Sequence, residues 1–239
     1  MEGYRVVMKN RLKKIGIGIG IVVAMFASTF FIYVAIYYKA TPEALSVLNQ
    51  PNVSVEADDL IYIASSVRSD TALIFYPGAK VEYTAYLPIL EQIVDEVGID
   101  VVLVKMPFNM AIFDQNRALE VMHLYQDINT WYLGGHSMGG AMASSFSSNH
   151  PDDVEGLILM GSYIYGDVDP KDALTIYGSF NESVAEKIDY TENVVVIEGG
   201  NHAQFGNYGE QKGDVPATIS TLKQQTVTVE AIKAFIDSR

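Results

Sequence analysis

The chain has 239 residues, of which 49% are hydrophobic and 19% charged, so it is long and apolar enough to bury a substantial core. It contains no cysteine, which excludes a disulfide framework, a thiolate metal site and a cysteine nucleophile. Residues 1–39 hold six basic residues and one acid, so the other 200 residues carry a net charge of −18, which argues against nucleic acid as a partner.

The first predicted element is a membrane-spanning helix. Residues 15–38 form an uncharged run of 24 residues, preceded by five basic residues and ending in tyrosines. A helix of that length is about 36 Å long, enough to cross a hydrocarbon core of about 30 Å. The positive-inside rule predicts a basic cytoplasmic tail at 1–14, a transmembrane helix at 15–38, and the rest of the chain on the extracytoplasmic side of the membrane.

A cleaved signal peptide is the alternative interpretation of this segment. The apolar region of a signal peptide is normally about 7–15 residues long, which is shorter than this run. The best cut site follows Ala40, and bulky Tyr38 stands two residues before the cut. We therefore expect an uncleaved anchor.

After the helix we predict a linker at 39–52 and a single domain at 53–239. Several segments of this domain are continuous apolar runs such as VVLV, LILM and VVVI, which are typical of strands buried on both faces of a parallel sheet. The predicted strands are 53–56, 60–64, 72–76, 101–105, 131–134, 156–160, 173–177 and 194–198. The predicted helices are 84–96, 116–125, 139–148, 183–189 and 229–237. From residue 72 onward strands and helices alternate, which predicts an open, mostly parallel α/β sheet with helices on both faces.

The segment TWYLGGHSMGGAM contains a G-x-S-x-G motif centred on Ser137. An apolar strand leads into the motif and a helix rich in small residues leads out of it. This context is that of a nucleophile elbow, in which a serine on a sharp strand-to-helix turn projects its hydroxyl above the sheet. The glycines at 135 and 139 remove side chains that would clash in such a turn.

The motifs GGHSMGGAM, YPGAKVEY and EGGNHAQFG resemble those of the α/β-hydrolase superfamily, and they stand in the order of that family. More narrowly, they are similar to small bacterial hydrolases related to dienelactone-hydrolase-like proteins, which often carry an N-terminal membrane anchor. The resemblance spans roughly residues 53–239. It implies the α/β-hydrolase fold and a serine hydrolase.

The general base and the oxyanion hole can also be assigned. In this fold the histidine follows the nucleophile and the acid along the chain. Of the two later histidines, His150 lies at a helix end, whereas His202 follows the last predicted strand and is the expected base. One oxyanion donor is expected to be the backbone N–H of Met138, and the resemblance implies Ala79 as the other.

The triad acid is where the sequence departs from the family. The aspartate expected after strand 173–177 is replaced by Asn181, and the next residue is Glu182. Three hypotheses stay open: Glu182 serves after a one-residue shift, Asn181 orients His202 without charge, or most of the catalytic activity has been lost. We favour Glu182.

Only 12 residues separate strands 156–160 and 173–177, so no large cap domain is expected there and the site should be open. We expect a serine esterase that cleaves a small carboxylic ester, lactone or thioester through an acyl-enzyme on Ser137, with no metal or organic cofactor. The alternative is a weakened or inactive binding or scaffold domain at the cell surface. A membrane-lipid hydrolase is a third possibility, although no long amphipathic lid is evident.

Overall fold

The computed structural model describes residues 2–57 and 60–239, with side chains described from Lys13 onward. Most basic side chains of the predicted cytoplasmic tail therefore lie outside the described residues. The chain divides into two compact units, one that ends at Ile36 and one that comprises Tyr37–Arg239.

The first unit is the helix α1, Glu2–Ala35. Its segment Lys13–Ala35 has 23 residues and a mean hydropathy of 2.3, so by length and composition it could cross a membrane as an anchor or serve as a signal sequence. The helix ends three residues before the predicted boundary at Tyr38. Tyr38 instead belongs to the second unit, where its N–H donates to the carbonyl of Lys80 (2.8 Å) and its carbonyl accepts from the N–H of Glu82 (2.8 Å).

The predicted linker 39–52 is ordered within the second unit. It contains the short helix α2, Pro42–Ser46, which begins after Thr41, whose hydroxyl accepts from the N–H of Ala44 at 3.2 Å. The side chains of Ala44 and Val47 are buried, so this segment contributes to the domain core.

The second unit is built on one eight-stranded sheet with the order β1-β2-β4-β3-β5-β6-β7-β8. The strands are β1 (Val53–Val55), β2 (Ile61–Ile63), β3 (Thr71–Tyr76), β4 (Asp100–Leu103), β5 (Thr130–His136), β6 (Gly156–Met160), β7 (Ala173–Gly178) and β8 (Val194–Ile197). β2 pairs antiparallel with β1 and β4, and all other pairs are parallel. The predicted strands and the mostly parallel sheet are confirmed.

The remaining helices are α3 (Leu87–Val97), α4 (Arg117–Leu124), α5 (Met138–Asn149), α6 (Glu182–Ala185) and α7 (Thr221–Asp237). α7 begins eight residues before its predicted start at 229. The hydroxyl of Ser220 caps it by accepting from the N–H of Lys223, and its first buried positions are polar: Gln224, Gln225 and Thr228. A search for apolar periodicity misses these turns because amides and a hydroxyl occupy the inward face.

Helices cover both faces of the sheet because each central strand is apolar on both sides. In β3, Leu73 and Phe75 belong to the core shared with α3 and α7, whereas Ala72 and Ile74 belong to the core shared with α4 and α5. The loops that follow the carboxyl ends of the parallel strands lie along one edge, where α/β sheets hold their ligands. Ser137, Asn181 and His202 follow β5, β7 and β8 respectively.

Candidate active site

Ser137 occupies the turn between β5 and α5 with φ 55° and ψ −121°. A positive φ is unfavourable for a residue with a side chain, and it persists where the surrounding structure enforces it. Here the N–H of Ser137 donates to the carbonyl of Met160 on β6 at 3.0 Å. A strained serine in a sharp turn between a strand and a helix is the backbone geometry of a nucleophile elbow.

The glycines of the motif allow the elbow to lie directly against β3. A Cβ at Gly139 would stand 2.2 Å from the carbonyl oxygen of Tyr76 and 2.5 Å from that of Pro77. A Cβ at Gly135 would stand 2.6 Å from the backbone of Gly139. These distances are shorter than atoms can approach, so the turn closes only because both residues are glycine.

His202 immediately precedes the 3₁₀ turn Ala203–Phe205 that follows β8, and its imidazole contacts Asn181. The Nδ2 atom of Asn181 lies 2.7 Å from Nδ1 of His202, and the hydroxyl of Ser183 donates to Oδ1 of Asn181 at 3.1 Å. Asn181 is buried, whereas Glu182 is exposed at the first position of α6. Among the described residues, no hydrogen bond joins Glu182 to His202.

The orientation of the Asn181 amide decides which imidazole nitrogen carries the proton. With Nδ2 toward the ring, Nδ1 of His202 is an acceptor and the proton lies on Nε2. After a 180° rotation of the amide, Oδ1 accepts from Nδ1–H, and Nδ2 donates to the Ser183 hydroxyl, which can accept as well as donate. This second arrangement leaves the Nε2 lone pair free, as a general base requires.

His136, the second residue of the motif, lies at the centre of a buried chain of hydrogen bonds. Its Nε2 lies 3.0 Å from the carbonyl oxygen of His202, which can only accept, so Nε2 carries the proton. Nδ1 must then accept from the hydroxyl of Tyr86 at 2.7 Å, and that oxygen in turn accepts from the N–H of Gly78 at 3.1 Å. These hydrogen bonds connect the loop after β3, the elbow and the loop of His202.

Burial lowers the pKa of both histidines. Burial, with the charge of nearby His202 as a second cause, holds the pKa of His136 well below its usual value, so this ring is neutral. Burial also lowers the pKa of His202, and the carboxylate of Asp214 acts in the opposite direction. His202 is therefore neutral, and able to accept a proton, at a lower pH than an exposed histidine.

The structure places the two expected oxyanion donors on either side of the contact between the elbow and β3. Met138 is the first residue of α5 and lines the cleft. Ala79 is half-buried in the loop after β3, next to Gly78, but it is not among the residues that line the cleft. In the described part of the chain, no backbone hydrogen bond joins either N–H to a protein acceptor.

A cleft of about 800 Å³ brings these residues together. Ser137, Met138, Asn181, Glu182 and His202 all line it. No hydrogen bond joins Ser137 to His202 among the described residues, and such bonds are often long before substrate binds. Much of the wall is apolar or aromatic and comes from Ile112, Met142, Tyr163, Tyr165, Phe180 and Val215. Its charged residues are Glu182, Lys212 and Asp214.

Sequence reasoning did not identify three residues that the structure places at this site. Tyr86 falls within the predicted helix 84–96, and its hydroxyl contacts His136. Ser183 bonds to Asn181, and Asp214 accepts hydrogen bonds from the loop of His202. A fourth such residue, His136, stands at the variable position of the G-x-S-x-G motif next to Ser137, and this position is the signal that could have identified it. Within residues 13–57 and 60–239, whose side chains the structure describes, no three histidine or acidic side chains cluster as metal ligands would.

Comparison with known proteins agrees with this fold. A sequence profile described as the alpha/beta hydrolase family matches residues 72–226. Among solved structures, the chain is similar to Est1E from Butyrivibrio proteoclasticus with ferulic acid bound, at 13% identity and a TM-score of 0.53 over 77% of this chain and 97% of that one. A search of curated proteins gives no significant match.

Two further solved structures show weaker likeness. Dienelactone hydrolase from Anabaena variabilis has 15% identity and a TM-score of 0.46, with 78% of this chain and 94% of that one covered. A membrane phospholipase A described as a bacterial virulence factor has 14% identity and a TM-score of 0.49, with 95% of this chain and 98% of that one covered. At these identities the likeness concerns the fold.

Proposed function

Because the chain belongs to the α/β-hydrolase family, we propose that it is a serine hydrolase that cleaves a carboxylic ester, lactone or thioester through an acyl-enzyme on Ser137. The observation that carries the proposal is the strained backbone of Ser137 at the elbow, in one cleft with His202. A positive φ at a serine costs stability. A nucleophile elbow accounts for that cost, because its turn exposes the serine hydroxyl for reaction.

In the proposed reaction, Nε2 of His202 takes the proton of Ser137 as Oγ attacks the substrate carbonyl carbon. The oxyanion that forms is held by the N–H groups of Met138 and Ala79, at the start of α5 and in the loop after β3. The tetrahedral intermediate expels the alcohol or thiol, which receives the proton from His202. Water, deprotonated by the same histidine, then attacks the acyl-enzyme and releases the carboxylic acid.

We assign the orienting role in the triad to Asn181, because it is the residue that contacts Nδ1 of His202. Its amide oxygen can hold the imidazole in the required tautomer, but it supplies no negative charge to the imidazolium of the transition state. In a serine triad an aspartate-to-asparagine change costs about 10⁴ in kcat. The enzyme should therefore be slower than a relative with aspartate at this position.

The open cleft suits a small acyl group or an exposed group of a larger molecule. Residues 161–172 between β6 and β7 contain a 3₁₀ turn, Pro170–Asp172, and no inserted cap domain. The apolar wall favours an uncharged acyl chain. With α1 as an uncleaved anchor, the domain would act at the extracytoplasmic surface of a membrane.

The uncharged residue at Nδ1 of His202 also favours a second candidate, an inactive binding or scaffold domain at the cell surface. The two are separated by labelling full-length protein in detergent with a fluorophosphonate probe and by following p-nitrophenyl acetate hydrolysis. We expect label and turnover in the wild type and neither in Ser137→Ala, whereas Ser162→Ala, at another serine of the cleft, should retain the label. A wild type that unfolds cooperatively on heating but takes no label would establish the scaffold instead.

A further inference from the structure

Asp214 is a carboxylate that bonds directly to the backbone of the loop carrying His202. Its Oδ2 accepts from the N–H of Ala203 at 2.8 Å, and its Oδ1 accepts from the N–H of His202 at 3.3 Å and from that of Val215 at 3.0 Å. Its own N–H donates to the carbonyl of Gln211 at 3.1 Å. Both oxygens are therefore fixed against the first turn after His202, and the residue lines the cleft.

The groups that face His202 from the other elements carry no comparable charge. Asn181, at the start of α6, contacts Nδ1 and is neutral. His136, at the end of β5, has its ring centre 4.6 Å from that of His202 and is held neutral by burial. Glu182 and Lys212 line the cleft, but in the described part of the chain neither bonds through its side chain to the histidine loop. Asp214 is the charged residue that does.

We propose that Asp214 is a positioning residue, held next to His202 by hydrogen bonds to the backbone of its loop. There it supplies part of the negative charge that asparagine at position 181 cannot supply. The inference rests on the proposed function, because it concerns the base of that reaction. When His202 takes the Ser137 proton it becomes an imidazolium, and a nearby carboxylate stabilises that cation. The arrangement differs from an ordinary triad, because the charge approaches from the backbone side of the histidine and comes from a residue that follows it in the chain.

The backbone around Asp214 favours a carboxylate at this position. The backbone N–H groups of His202 and Ala203 both donate to the Asp214 carboxylate and hold it in place without a cationic side chain. In the part of the chain that the structure describes, no salt bridge reaches Asp214, so its negative charge is available to the imidazolium. The opposing effects on the pKa of His202, which burial lowers and Asp214 raises, agree with this geometry.

A double-mutant cycle on the full chain in detergent tests the proposal. The four proteins are the wild type, Asp214→Asn, Asn181→Asp and the double variant, each assayed for kcat across pH. In the wild-type background Asp214→Asn should lower kcat by about tenfold and move the acidic limb of the profile to lower pH, the size expected for one pKa unit. In the Asn181→Asp background the same change should cost no more than about twofold, because a carboxylate already faces Nδ1.

A merely structural role for Asp214 predicts a different pattern. If the residue only holds the loop, Asp214→Asn should cost the same factor in both backgrounds and leave the acidic limb in place, and that result would overturn the proposal. Asp214→Glu, which keeps the charge, should recover part of the lost activity. Thermal unfolding of each variant identifies any that has lost its fold.

A direct titration keeps this inference separate from the proposed function. In the Ser137→Ala background, the ring protons of His202 are followed by NMR against pH, with and without Asp214→Asn, and assigned by comparison with His202→Gln. We expect the pKa of His202 to fall when Asp214 is neutralised. An unchanged pKa refutes the role of Asp214 even if the enzyme is active, and a lowered pKa supports it even if no ester is cleaved.

Discussion

The two sides of the cleft are held in place by different means. On the side of the proposed nucleophile Ser137, called the nucleophile side, the backbone determines the geometry: glycines let the elbow contact β3, and the position of Ser137 follows from the turn. On the histidine side the geometry depends on side chains from separate loops, in which Asn181 contacts the ring and Asp214 contacts the loop. The nucleophile side therefore tolerates almost no substitution, whereas the histidine side can be altered by degrees.

The largest effect should come from adding one carbon on the nucleophile side. Gly139→Ala places a Cβ 2.2 Å and 2.5 Å from two backbone carbonyl oxygens, which cannot move without displacing β3. We expect a loss of folding, or a loss of more than about 4 kcal/mol in the free energy of unfolding, measured by denaturant titration of the full chain.

A matched control for that experiment is Gly209→Asn. No atom lies within 4 Å of a Cβ at Gly209, and asparagine tolerates its φ of 82° better than other side chains do. This variant should lose less than about 1 kcal/mol. A stable, fully labelled Gly139→Ala protein would contradict the view that backbone contact determines the elbow.

The histidine side depends on the segment that follows α1. The hydroxyl of Tyr38 accepts from the N–H of Lys212, its ring centre lies 5.6 Å from that of Tyr208, and the N–H of Thr41 donates to the carbonyl of Asn207 at 2.9 Å. The loop so held leads to Asp214. A cut after Ala40, as a signal peptidase would make, removes Tyr38 from this arrangement.

Removal of residues 37–40 should destabilise the domain, and a comparison of fragments 37–239 and 41–239 measures the effect. The shorter fragment lacks the two backbone hydrogen bonds of Tyr38, the one at its hydroxyl, and the bond from the N–H of Ala40 to the Glu82 carboxylate. At about 1 kcal/mol or less for each, it should be less stable by about 2–4 kcal/mol and should turn over ester more slowly. Equal stability and equal turnover would mean that residues 37–40 are dispensable and that a cut after Ala40 is compatible with function.

This contrast also explains which features could be predicted from the sequence. The sheet and the elbow could, because buried strands require apolar runs and a close turn requires glycine, so the backbone geometry leaves a mark at each position. The sequence could not decide whether Asn181 or Glu182 is the partner of His202. A shift of one residue in the start of α6 would change which of the two side chains faces the ring. Asp214 could not be found at all, since its contacts are made across 11 or 12 residues of loop and follow no spacing rule.

The smallest expected effect concerns pH and again separates the two sides. His136 on the nucleophile side is neutral throughout the working range, so the acidic limb of the activity profile should report His202 alone. The proposed base His202 must be unprotonated to act, and burial lowers its pKa, so the midpoint of that limb should lie below the value of about 6.5 for an exposed histidine. Asn181→Asp should raise the midpoint by about one unit or less, because a carboxylate favours the imidazolium.

The same shifts give the sign of the dependence of stability on pH. The pKa values of both histidines are lower in the folded protein than in the unfolded chain, so below about pH 6.5 the unfolded chain binds more protons. Their contribution to stability is therefore present above that pH and is lost as the pH falls.

For the activity profile, His150→Gln, outside the cleft, serves as the control and should leave the midpoint of the acidic limb unmoved. A wild-type midpoint above 6.5 would mean that negative charge outweighs burial at His202, and the asparagine at 181 would then no longer explain a slow enzyme.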